Sequence, residues 1–170
     1  QATYTGVVQM GPYPFLTDIV ITISNDQDVN CVINSDAIQL FSCPPANDNC
    51  FGSIEAAVNT DQSCLLTTSG TLSGASPSGN ASSCLVSADD DVWFNFVALS
   101  EVQLISLVDI SGTTTSLGHA LYVGTGAVDC NTLTELYCSN DTSSITPDLT
   151  PGVTYYVRVF SNGTNNENVD

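Results

Sequence analysis

The sequence predicts an all-β protein, a β-sandwich of two antiparallel sheets. Short segments of two-residue alternation, rich in β-branched and aromatic side chains, recur along the chain at intervals that suit two packed sheets. Ser, Thr and Asn crowd the remainder, and their side chains bond locally to the backbone in ways that favour turns and strand faces over helix interiors. Helix formers are scarce, with no Lys and one Met.

In chain order, residues 3–10, 17–24 and 37–42 are the first strand candidates. Residues 53–58 (SIEAAV) read as a helical turn or two with Ser53 as N-cap. The Ser- and Gly-rich stretch 67–83 reads as an exposed loop or edge. Residues 91–98 (DVWFNFVA) are the clearest strand, with Val92, Phe94 and Phe96 on one face and Trp93, Asn95 and Val97 on the other. Residues 101–108 (EVQLISLV), 117–123 and 132–137 follow. The strand at 153–160 (VTYYVRVF) is introduced by Thr150-Pro151-Gly152, where Pro suits position i+1 and Gly position i+2 of a type II turn.

A domain boundary is expected at Cys43-Pro44-Pro45, because adjacent prolines cannot join a central strand. Residues 1–43 would be the end of a preceding module or a strand-donating arm, and residues 44–170 the sandwich module. The net charge of -17, with one Lys or Arg against 18 Asp and Glu, excludes nucleic acid and anionic membrane surfaces as partners. No apolar run approaches the roughly 18 residues that a membrane span needs, so membrane insertion is not expected.

Seven cysteines fit an oxidising, extracellular compartment better than the cytosol. Their spacing lacks the close C-x2-C pairs of structural zinc. Cys130 with Cys138 is the best local pair, Cys31 with Cys43 is plausible, and so are two among Cys50, Cys64 and Cys84. Seven being odd, one thiol is expected to find its partner outside the sequence.

Four motifs stand in order: Ala46-Asn47-Asp48-Asn49-Cys50; Asp90-Asp91-Val92-Trp93-Phe94-Asn95-Phe96; Cys130 and Cys138 followed by Asn140-Asp141; and Leu149-Thr150-Pro151-Gly152-Val153-Thr154-Tyr155-Tyr156-Val157-Arg158-Val159. Together they resemble a repeat module of large secreted and cell-surface proteins of Bacteroidetes, itself similar to bacterial pre-peptidase C-terminal domains. The resemblance spans about residues 44–170. It implies a jelly-roll-like sandwich that accompanies adhesins, peptidases and glycosidases, and it carries over no catalytic residue. Such modules close with a further strand after the Tyr-Tyr-x-Arg-Val strand; none is legible here, while residues 36–43 resemble the closing strand of a preceding copy. A window of a tandem array, or a subunit completed by a neighbour's strand, is the expectation.

Calcium is the cofactor the acidic clusters suggest, since it takes six to eight oxygen ligands. Asp89, Asp90 and Asp91 with Asn47 and Asp48 are the first candidate set, and Asp26-x-Asp28-x-Asn30 the second. Arg158, mid-strand, is expected to pair with a carboxylate or lie on an aromatic face. His119 would have to serve any Ser-His-Asp arrangement alone, and no Gly-x-Ser-x-Gly elbow accompanies it. Trp93, Tyr155 and Tyr156 would make a sugar-stacking platform if exposed, although their alternation argues for core. Asn80, Asn140 and Asn162 match the glycosylation pattern and mark loops.

The reading is a non-catalytic extracellular structural or adhesion module of a larger secreted or cell-surface protein. Its partners would be neighbouring copies or modules, surface glycans or host and cell-surface proteins. The alternatives are a filament subunit using strand donation, and an accessory domain of a secreted hydrolase.

Overall fold

The computed structural model describes residues 44–61, 63, 65–80, 82–84, 89–124, 130–163 and 167–170, and the backbone of strands at 18–19, 22–25, 28–34 and 38–39. The chain divides into two units, Gln1–Ser42 and Cys43–Asp170. In the first, β1 (Asp18–Ile19) pairs antiparallel with β4 (Ile38–Gln39), and β2 (Thr22–Asn25) with β3 (Asp28–Asn34). The candidate strand at 3–10 lies outside the described residues.

The second unit is a β-sandwich. Its strands are β5 (Ile54–Glu55), β6 (Asp91–Val97), β7 (Leu104–Ser106), β8 (Leu117–Val123), β9 (Thr134–Ser139), β10 (Ser143–Ile145) and β11 (Thr154–Ser161). A five-stranded sheet runs β5-β6-β11-β8-β9, antiparallel except for the short β5–β6 pair, and β7 pairs with β10 in a two-stranded ribbon. Among the described residues, helix is confined to 3-10 turns at Cys50–Gly52 and Cys130–Thr132.

The five-stranded sheet is buried on both faces. One face presents Val92, Phe96, Leu117, Leu121, Tyr155, Val157 and Val159, against which Ile105 of β7 and Leu107 and Ile110 just beyond it pack. The other presents Trp93, Ala120, Tyr122, Cys138, Tyr156 and Phe160, with Cys50, Cys84, Cys130 and Leu133 packed against them. This explains why β11 reads as a nearly continuous apolar run: a strand covered on both sides needs no polar face.

The turn before β11 forms as its residues dictate. Val153 N donates to Thr150 O, and Gly152 sits at φ 84, the left-handed value that position i+2 of a type II turn requires.

Two readings of local structure need correction. Residues 53–58 make no helical turn, because Ile54 and Glu55 lie beside Phe94 and Asn95 of β6 and Ala56 N donates to Asn95 O; tertiary pairing overrides a weak local preference. The stretch 67–83 has no helix or strand among its described residues, as a loop should, but it is not exposed throughout. Leu72 and Ala75 are buried, Leu72 N donates to Val169 O, and Gly70 lies so close to Phe94 that a Cβ would stand 2.6 Å from the ring.

Candidate functional site

The most connected polar centre lies under the Trp93 face. Asp91 opens β6 and Arg158 stands on β11, two neighbouring strands, and Arg158 Nη2 meets Asp91 Oδ2 at 2.8 Å with both side chains all but inaccessible. The Asp91 carboxylate also accepts from Ser78 N at 2.8 Å, Ser78 Oγ at 2.6 Å and Trp93 Nε1 at 3.1 Å. Arg158 Nη1 donates to Asn80 O at 2.7 Å, and the guanidinium carbon lies 5.9 Å from the Trp93 ring centre. Strand alternation places Arg158 here: it shares its face with Tyr156 and Phe160. The pairing and the aromatic contact are both of the kind the sequence suggested for Arg158; Ser78 and Asn80 carried no signal beyond lying in a Ser-rich stretch.

The calcium residues are not gathered into a ligand set. Asp48 accepts from Ser76 N at 2.6 Å, and Asn47 Nδ2 donates to Trp93 O at 3.0 Å. Asp90 accepts from Ser161 N at 3.1 Å and Glu167 N at 2.9 Å, tying the end of β11 to the segment beyond it. Asp91 is taken by Arg158. Asp89 keeps both carboxylate oxygens buried without a hydrogen-bond partner, and burial pushes its pKa up. Among the described residues, no group of His, Cys, Asp and Glu is arranged to hold a metal ion. Of the second set, Asp26 lies outside the described residues, and Asp28 and Asn30 fall in β3.

The disulfides join Cys50 to Cys130, with Cα atoms 5.7 Å apart, and Cys84 to Cys138, at 5.6 Å. This corrects the Cys130–Cys138 pairing. A 3-10 turn and then the extended strand β9 separate these residues in the chain, so each reaches across to a different covering segment. Cys43 and Cys64 lie outside the described residues, as does the side chain of Cys31.

His119 on β8 is fully buried. Its Nε2 is hydrogen-bonded to Ser144 Oγ of β10, and Tyr137 Oη of β9 stands 3.3 Å from Nε2 and 2.8 Å from Ser144 Oγ. Burial lowers its pKa below the ordinary imidazole range, opposed by the neighbouring Asp141. The cluster links the five-stranded sheet to the ribbon. Trp93, Tyr155 and Tyr156 are 0, 5 and 6% exposed, so they form no sugar-stacking platform. Asn80 is engaged as well, donating from Nδ2 to Cys130 O at 2.7 Å. No helix among the described residues is long and apolar enough to cross a membrane.

Comparison with curated proteins and with solved structures gives no match. The model of a T9SS-associated family, described as galactose-binding-domain-like, matches residues 46–170, which is more than half of the chain and the whole sandwich from Ala46 onward. The likeness to secreted Bacteroidetes modules agrees with that family at the level of a T9SS-related β-sandwich. The chain belongs to the T9SS-associated galactose-binding-domain-like family.

Proposed function

We propose that this chain is a non-catalytic extracellular module that supports adhesion, or spaces other domains, in a large secreted or cell-surface protein. The observation that carries the reading is the use made of its ionisable groups. Arg158, Asp91, Asp90 and Asp48 are each bonded within the sandwich, and His119 is buried between its layers. Catalysis by general acids and bases needs such groups within reach of a substrate. The family's association with the T9SS, a bacterial secretion system, and the two disulfides support export. Kinship with pre-peptidase C-terminal domains belongs to the same proposal, as do neighbouring modules, surface glycans and host or cell-surface proteins as partners.

The test is adhesion by the full chain, immobilised on beads and offered a glycan array and intact cells. Saturable retention without turnover of peptide, ester or glycoside reporters is expected. Hydrolysis that survives repurification would overturn the non-catalytic reading, and absence of any retention would leave spacing as the role.

A further inference from the structure

Residues 76–84 run as a strap across the Trp93 face, and the contacts that hold them there are polar. Ser76 N donates to Asp48 at 2.6 Å, Ser78 N and Oγ donate to Asp91, and Ser83 N donates to Glu135 at 3.0 Å. In return the strap's carbonyls accept from Arg158, Asn80 O at 2.7 Å and Ser78 O at 3.4 Å. None of the described residues of the strap, 76–80 and 82–84, is buried, whereas Leu72 and Ala75 just before it are. The strap therefore gains little from removal of apolar surface from water, the dominant favourable term in folding.

Its polar contacts are a weak fastening. Arg158 and Asp91 are bonded to the strap and are 1 and 0% exposed beneath it. Lifting the strap exchanges its hydrogen bonds for bonds to water, a small net change for each, and returns water to two charges whose burial costs nearly what their pairing supplies.

The covalent fastening is Cys84–Cys138, which joins the end of the strap to β9. Its surroundings differ from those of Cys50–Cys130. Cys84 and Cys138 are both half-buried, so each keeps part of its surface open to an attacking thiolate. Cys50 is 1% exposed, which blocks attack at its sulfur. Attack at Cys130 would expel Cys50 as a thiolate into the cluster of Trp93, Tyr122 and Phe160, where burial disfavours the charge.

We propose that Cys84–Cys138 is a redox latch: a dithiol reductant opens it ahead of Cys50–Cys130, and its opening lets residues 76–84 lift from the Trp93 face while the five-stranded sheet stays folded. One thiolate of the dithiol attacks a sulfur of the bridge and displaces the other as a thiolate, and the second thiolate of the dithiol then resolves the mixed disulfide. Two electrons pass to the bridge, the two protons of the dithiol end on Cys84 and Cys138, and the reductant leaves as its own disulfide. In an oxidising compartment the strap is closed. In a dithiol-rich one Trp93 and the Arg158–Asp91 pair face solvent. The proposal goes beyond adhesion or spacing and depends on neither.

The test uses the full chain, with thiols that are free at the outset blocked by N-ethylmaleimide, and dithiothreitol as the dithiol. At the concentration that opens half of Cys84–Cys138 to iodoacetamide, Cys50 and Cys130 are expected to be about tenfold less alkylated. Trp93 is the single Trp, so acrylamide quenching of its fluorescence reports on the strap and is expected to rise in step with alkylation of Cys84 and Cys138. Exchange of the Ser78 amide is expected to quicken about tenfold or more while the amides of β8 and β11 stay protected. Cys84→Ser together with Cys138→Ser should give the same quenching and exchange without reductant. Reduction of both bridges together, or of Cys50–Cys130 first, would overturn the proposal. Selective reduction that leaves Trp93 and Ser78 as protected as before would overturn it too, by showing that polar contacts hold the strap. So would loss of protection in β8 and β11, which would make the bridge a support of the whole sandwich.

Discussion

Arg158 and Asp91 meet at 2.8 Å on adjacent strands, in a place where neither side chain retains more than 1% of its exposure. A buried pair of this kind contributes little net stability when intact and costs much when half of it is removed. Arg158→Met would leave the Asp91 carboxylate with bonds from Ser78 and Trp93 but no opposing charge. Urea unfolding of that variant is expected to show a loss of about 3–5 kcal/mol, and Arg158→Met combined with Asp91→Asn is expected to recover part of it.

The disulfides tie the covering segments to the Trp93 face, their partners 80 and 54 positions apart in the sequence. Peptide mapping without reduction is expected to recover Cys50 linked to Cys130 and Cys84 linked to Cys138. Replacing Cys84 and Cys138 together by Ala should cost about 4 kcal/mol by loop-closure entropy.

Gly118 on β8 has no room for a side chain: an added Cβ would lie 2.6 Å from the Phe160 ring and 2.7 Å from Ser139 O. Gly118→Ala is expected to destabilise the protein by about 1–3 kcal/mol. Gly79, where a Cβ would meet nothing within 4 Å, is the control, and its Ala variant should melt near the parent.

His119 sets an acid limit. Its folded pKa is lowered by burial, so on acidification the unfolded chain takes up a proton before the folded one does. Stability attached to this group is present above the unfolded value of about 6.5 and is lost as pH falls through that value toward the folded pKa. Groups facing the ring are Tyr137 from β9, Ser144 from β10 and Asp141 from the turn between them. Denaturation midpoints measured from pH 8 to pH 5 should fall on the acid side, and His119→Gln should flatten that limb.

How much of this was legible in sequence depends on what each residue answers to. Strands β6 and β11 announce themselves because alternation and aromatic content are local properties, whereas the equally clear pattern at 101–108 pairs only over Leu104–Ser106 and the weaker one at 117–123 forms all of β8. β10 and β3 do not announce themselves, since Ser143–Ile145 is three residues of pattern and Asp28–Asn34 is interrupted by polar side chains. The carboxylates beside Trp93 were identifiable as a cluster, but their partners Ser76 and Ser78 lie in a stretch whose small residues read as linker. Their smallness is what lets that backbone approach the sheet. Disulfide pairing follows from which strands become neighbours, and sequence spacing between Cys130 and Cys138 says nothing of that.

The central claim is that the acidic centre holds the sandwich together by internal bonds. Thermal melting of the full chain in EDTA and in millimolar calcium tests it most directly, because a ligand that binds the native state raises the midpoint. With Asp48, Asp90 and Asp91 already bonded to Ser76, to the backbone beyond β11 and to Arg158, the two midpoints are expected to coincide. A clear rise in calcium that disappears in Asp91→Asn would contradict the account.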